Sequence, residues 1–284
     1  MSDLAVGGQA LIEGVMMRDK DKLALAVRKP DGKIVVKTQR IRHWMRRSRI
    51  FRLPFLRGIL MLGENLVLGY RALSYSADQA TGEKEKLGRA QMIITLALSI
   101  VFAVVLFIGV PFYITTLISK DNILVFNIID GLMRLMIFLA YLVSISLIGE
   151  VKRVFQYHGA EHMTIHAYEK KKRLEIREIR PFPTAHPRCG TSFLMIVLVL
   201  SIVIFSFVIT DSLLIRFLSR IVLIPVIAGV SYEVLKLSAK FGQNPVMKLV
   251  TLPGLWLQLI TTKRPDGKKI EVAIAALKAL NSMK

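Results

Sequence analysis

The chain has 284 residues, 53% of them hydrophobic, and a mean hydropathy of +0.50. It also carries 40 Lys and Arg against 20 Asp and Glu, a formal net charge of +20. Greasy and strongly basic together describe a membrane protein with large basic parts in water, and the single cysteine, Cys189, excludes an intramolecular disulfide.

In chain order, residues 1–50 hold no apolar core segment of the kind a secretory signal needs. Gly7-Gly8-Gln9 lacks the βαβ context of a dinucleotide site and is expected to be a backbone turn. Leu23 to Arg28 and Ile34 to Gln39 are β-prone runs flanking Pro30-Asp31-Gly32, which predicts a hairpin. Ile41 to Arg57 is dense in cations interleaved with Trp44, Phe51 and Phe55, and Pro54 to Tyr75 reads as an amphipathic helix. Such a stretch suits an anionic bilayer surface better than RNA phosphates. Asp78 to Arg89 is a polar linker.

Four spans are expected. Met92 to Ser119 has no charged residue before Lys120. Leu124 to Gly149 is interrupted by Asp130 and Arg134, which stand at i,i+4 and can pair. Thr191 to Thr210 is uncharged. Leu213 to Leu235 holds Arg216 and Arg220 near its start, Pro225 inside and Glu233 near its end, and has the weakest hydropathy. Val151 to Lys172 is expected either to prolong the second span into the cytoplasm or to open a new helix. Glu175 to Arg180 is expected as strand or loop before the helix-breaking Pro181-Phe182-Pro183. Leu249 to Thr262, with Pro253-Gly254, is too short to span and is expected at the interface or as a re-entrant piece. Glu271 to Met283 is a short amphipathic helix.

Residues 1–91 hold 18 Lys and Arg, 150–190 hold nine and 236–284 hold nine. The positive-inside rule therefore puts the N-terminus, the 150–190 loop and the C-terminus in the cytoplasm. The expected fold is mainly α, a polytopic membrane protein with about four transmembrane helices and a small cytoplasmic α+β cap. Its regions are 1–91 basic, 92–149 spans, 150–190 loop, 191–238 spans and 239–284 basic.

The chain has five histidines, and two of them fall in His158-Gly159-Ala160-Glu161-His162. On a helix, His158 and His162 stand one turn apart on one face, the spacing at which two imidazoles share a metal. The order His-x-x-Glu-His is that of the inverted zincins, with Glu161 placed to orient or deprotonate a bound water as the catalytic general base. Two ligands do not complete a site. His186 and Cys189, ahead of the third span, can complete a zinc or other divalent transition-metal site. Glu233 is an alternative distant ligand, Glu169 a partner for a histidine N–H, and His166 has turned off the face. With all of His158, His162, His186 and Cys189 bound the site is closed and structural; with one absent it is open to water.

Gly7-Gly8-Gln9-Ala10 with Glu13-Gly14-Val15-Met16, Pro54-Phe55-Leu56-Arg57-Gly58, Phe155 to His162, His186 to Phe193, and Pro253 to Gln258 together resemble the YqhQ family. These are bacterial membrane proteins of unknown function, often labelled metal-dependent enzymes. The resemblance runs through nearly the whole chain and implies a membrane location and a metal, but no substrate.

Three functions compete. The first is a membrane zinc hydrolase with a cytoplasm-facing site. The second is a non-enzymatic factor whose basic face docks a ribosome, a translocon or anionic lipids, with a structural metal. The third is a transporter with Asp130, Arg134 and Glu233 on an ion path, which the absence of an evident inverted repeat disfavours. Specific DNA binding is not expected.

Overall fold

The computed structural model describes residues 6–46, 48–82, 89–119, 121–241 and 244–283. Most of the expected linker between Asp78 and Arg89, and Lys120 between the first two spans, lie outside them.

Four strands, β1 (Gly7–Leu11), β2 (Gly14–Asp19), β3 (Lys22–Arg28) and β4 (Ile34–Arg40), form an antiparallel meander in the order β1-β2-β3-β4. The β3–β4 hairpin is the one the Pro-Asp-Gly turn predicts, with Arg28 opposite Ile34. Gly7-Gly8-Gln9, however, is strand rather than turn. The reversal falls at Ile12-Glu13, where Leu11 pairs with Gly14 and Glu13 takes a φ of 50°. Side chains alternate along a strand. Val15, Met17, Ala24 and Ala26 therefore face one way, into a core with Tyr157, Ala160, Met163, Ile270, Ala273 and Leu277. Met16, Leu23 and Leu25 face the other way, against Leu68, Ala72 and Tyr75. The sheet is thus covered on both faces, which explains its near-continuous apolar runs. One cover is the expected amphipathic helix α1 (Leu56–Thr81). The other is a pair, α5 (Gly149–Glu169) and α11 (Gly267–Ser282).

The apolar helices come between. A continuous helix runs through α2 (Arg89–Val104), a π-helical turn at Val105–Gly109 and α3 (Val110–Ile118). Then comes α4 (Ile123–Ser146), capped by Asn122. These give two helices long and apolar enough to cross a membrane, of 26 and 24 residues. At 1.5 Å per residue the shorter extends about 36 Å, against about 30 Å of hydrocarbon. The first is exposed over its N-terminal half, with Leu98 at 64% and Phe102 at 58% exposure, and buries Ile108, Pro111 and Thr115 in its C-terminal half.

Among the described residues four full spans are not evident. The third expected span is only α7 (Thr191–Ser206), because the chain unwinds at Phe207 before Asp211-Ser212. The fourth is broken at Leu223, ahead of Pro225, into α8 (Leu213–Val222) and α9 (Ile224–Lys240), bent by 46°. Two apolar helices therefore qualify, or three if the bent pair is one span. The interfacial segment expected after Leu249 is a helix, α10 (Pro245–Thr261), packed on α7. Glu175 to Arg180 holds a single helical turn, α6 (Ile176–Ile179), not a strand.

Polar groups inside the apolar bundle are collected at one point. Asp130 Oδ2 accepts from Arg134 Nη2 at 2.8 Å, the expected i,i+4 pair, and from Arg220 Nε at 3.1 Å. Arg134 Nε also donates to the Phe107 carbonyl in the π-helical turn at 3.0 Å. Arg216 donates to the Thr210 carbonyl at 2.8 Å and lies over the Phe126 ring.

Gly159 on α5 meets the 263 segment so closely that an added Cβ would fall against the Lys263 carbonyl. Gly159→Ala is expected to cost about 1–3 kcal/mol, as overpacking does. Thermal unfolding of the detergent-solubilised variant, read against wild type, checks this.

Candidate metal centre

The helix α5 follows α4 almost directly, after a break at Leu147-Ile148. It carries polar side chains into a buried place: Glu161 and His162 are 4% and 2% exposed. Buried imidazoles need partners for their N–H groups, and these come from backbone carbonyls at three points where chain segments reach α5. His158 Nδ1 lies 2.9 Å from the carbonyl of Thr261, the last residue of α10. His162 Nδ1 lies 2.6 Å from the Thr184 carbonyl, and His166 Nε2 lies 2.9 Å from that of Ala185. A ring nitrogen facing a carbonyl carries the proton, so the opposite nitrogen keeps its lone pair. His158 and His162 are thereby fixed as Nε2 ligands.

The loop that supplies Thr184 and Ala185 also supplies His186 and Cys189. It is clamped by Gln258, fully buried on α10, which accepts from the His186 amide at 2.7 Å and donates to the His186 carbonyl at 3.1 Å. Cys189 Sγ lies 3.2 Å from His158 Nε2. Ligand atoms of His158, His162 and Cys189 all lie within 4.8 Å of one another. His186 stands elsewhere: it forms a second group with His166 and Glu169 on the same criterion. The four rings make a ladder, with centroids 4.4 Å apart for His158–His162, 5.8 Å for His162–His186 and 4.4 Å for His186–His166.

Glu233 is engaged by Arg57, whose Nε donates at 2.7 Å, and by the Phe55 amide at 3.2 Å. It joins neither group. Glu161 lies under β1, where the Cβ of any residue replacing Gly8 would come 2.8 Å from its carboxyl and 2.5 Å from the Met16 carbonyl oxygen. That close approach is why strand and helix meet at a glycine. Its Oε2 is buried with no hydrogen-bond partner among the described residues.

Burial sets the electrostatics. It pushes the Glu161 carboxyl up to about 8, and the Cys189 thiol up to about 11 with a further contribution from Glu161. Burial, then the neighbouring His158, drives His162 down to about 2; burial alone takes His186 to about 4 and lowers His158. At neutral pH the imidazoles are uncharged, the form in which histidine binds metal.

Beside His158 and Cys189 opens a cavity of about 620 Å³, reached by Gly7 and Gly8 of β1, by Arg18 and Asn65, and by Thr191 at the start of α7. Arg18 donates to Asn65 at 2.6 Å. The sequence reading passed over His166, although 158, 162, 166 and 169 are spaced i, i+4, i+8 and i+11 and share a face. It also passed over Arg18, and Gln258 had no role beyond its place in a motif.

The profile of the family described as "Protein of unknown function (DUF1385)" matches residues 53–283. The chain belongs to that family. A relative, "Uncharacterized protein YqhQ" of Bacillus subtilis (strain 168), is 34% identical over 296 aligned residues, covering 97% of this chain and 92% of its own. The resemblance of the five motifs to YqhQ thus extends through the whole chain. No solved structure matches. Within the described part of this DUF1385 chain, four of the five quoted motifs converge: Gly8 touches Glu161, His158 meets Cys189, and Gln258 holds His186, while Phe55 and Arg57 bond Glu233 on α9.

Gln258→Leu removes both clamp bonds and leaves the His186 amide and carbonyl buried without them. A loss of about 2–4 kcal/mol is expected. Alkylation of Cys189, which is 8% exposed, should accelerate in this variant, measured by mass spectrometry against wild type.

Proposed function

We propose that this protein is a membrane metallohydrolase with its site on the cytoplasmic side. One observation carries the reading: two histidines whose tautomers are fixed by backbone carbonyls converge with a buried cysteine at the edge of an open cavity. Two imidazoles and a thiolate are a donor set suited to zinc, and three protein ligands beside a cavity suit a catalytic site better than a closed structural one. His158 and His162 would hold the ion through Nε2 and Cys189 through Sγ. A bound zinc ion would supply Lewis acidity and activate water.

The chain's own residues do the rest. Glu161, with a buried and unpartnered oxygen, holds or takes the proton in the chemical step. Arg18 sits across the cavity with no carboxylate partner among the described residues, and favours an oxyanion on the substrate. The three carbonyls keep the rings from turning.

The location rests on the exposed apolar surface of α2 to α4 and on the charge distribution. The sheet, α1, α5 and α11, drawn from the three basic stretches, pack together, and α5 follows α4 almost directly. The positive-inside rule assigns this cap to the cytoplasm.

The first test is metal content of the detergent-purified protein. His158→Ala and Cys189→Ala should each bind about one zinc ion fewer per chain than wild type. Cobalt substitution should give a thiolate-to-metal charge-transfer band that Cys189→Ala lacks. A wild type that binds no ion after reloading sinks the reading. The second test is turnover on chromogenic phosphate and acyl esters, where Glu161→Gln should keep its metal and lose roughly 10²–10⁴-fold in rate.

A further inference from the structure

We propose that the chain holds a second divalent metal ion, bound by His166, Glu169 and His186. This goes beyond the single-ion reading above and shares no ligand with it. The three side chains offer one ligand atom each, all within 4.8 Å of one another. They pair two imidazoles with one anionic oxygen, as the first group pairs two imidazoles with one sulfur.

The placement follows from the register of α5. His158, His162, His166 and Glu169 are spaced to share one face of the helix. The loop from Thr184 to Cys189 runs along that face, and its two side-chain donors stand at different heights. Cys189 meets His158, while the His186 ring stands between His162 and His166. The six donors therefore divide into neighbouring sets of three, with the rings of His162 and His186 on either side of the division.

His186 carries the argument. It is 4% exposed, and its Nε2 has no hydrogen-bond partner among the described residues. That nitrogen faces Glu169 Oε1 at 3.3 Å. His166 Nε2 faces the Ala185 carbonyl, so its Nδ1 is the nitrogen with the lone pair.

Two contacts compete with an ion, and neither is strong enough to exclude it. Arg188 donates to Glu169 Oε1. A carboxylate has room for a metal and a guanidinium together, and ligating carboxylates are commonly hydrogen-bonded in this way. The Arg188 amide lies 3.2 Å from His186 Nδ1. A metal on Nε2 moves the ring proton to Nδ1 and forfeits that one bond, which is worth an order of magnitude less than binding of zinc to a structural site. The donor set of two imidazoles and a carboxylate takes zinc, or a harder divalent ion such as manganese, whereas the thiolate set selects zinc.

The test uses full-length protein in detergent, stripped by chelator, reloaded with zinc and freed of excess ion. Wild type should hold about two ions per chain, Glu169→Gln about one and Cys189→Ala about one. Circular dichroism and thermal unfolding confirm that each variant is folded. Cobalt titration of wild type gives the same answer without a variant. About two equivalents should bind, and only one of them should produce the sulfur-to-cobalt band. One ion in wild type, retained in Glu169→Gln and lost in Cys189→Ala, overturns the second site and leaves the first. Two ions in wild type that both survive in Glu169→Gln also overturn it. No bound ion overturns both sites.

Discussion

Three backbone carbonyls, those of Thr184, Ala185 and Thr261, fix the chemistry of the buried face of α5. A helix satisfies its own backbone along its length and has nothing left for side chains. Carbonyls come free only where a helix ends or a loop begins. Thr261 is the end of a helix, and the other two follow Pro181-Phe182-Pro183, whose prolines keep that segment out of a helix. The imidazoles can therefore be oriented only where α10 stops and where the loop before α7 passes. Both segments are held in turn by Gln258. The site is a property of chain breaks around a helix as much as of the helix itself.

The bundle solves a related problem differently. Arg134, Arg216, Arg220 and Asp130 are all buried among apolar helices, where an isolated charge is expensive. One carboxylate serves two guanidiniums. Backbone carbonyls at Phe107 and Thr210 take further N–H groups, one from a π-helical turn and one from the stretch where α7 has unwound. Phe126 and Phe205 offer ring faces to the same arginines. The unwound stretch that shortens the third expected span and the π-helical turn in the first helix both supply acceptors to the arginines, so these two departures from straight helices have an electrostatic reason.

Much of this was legible in the sequence, unevenly. The β3–β4 hairpin, α1 and α5 each carry a local signal, a Pro-Asp-Gly turn or a helical period; the hairpin and α5 formed close to their expected bounds, while α1 runs on past Tyr75 to Thr81, into the start of the expected linker. The convergence of His158, His162 and Cys189 could be guessed from donor chemistry. The division of the donors into two sets could not, because it depends on how the 184–189 loop climbs along α5. His166 was set aside for having rotated off the face, yet the loop follows that rotation. The strand at Gly7 to Leu11 was missed because two glycines read as a turn. The smallness of Gly8 serves the approach of Glu161 instead. Hydropathy alone could not locate the breaks at Phe207 and Leu223, since apolar composition continues across both.

The cap has an unusual order of assembly. Its sheet is made first, from residues 7–40, but the face of β2 and β3 opposite α1 is covered by α5 and by α11, which begins at Gly267. Synthesis runs from the N-terminus, and the apolar helices lie between. The sheet must therefore wait, one apolar face uncovered, until the bundle has been made and the last helix has left the ribosome. Anything that shields that face in the interval, the membrane surface or a chaperone, becomes part of how this protein is made. The histidine face of α5 shares that core, so it takes its final setting only when the last helix arrives.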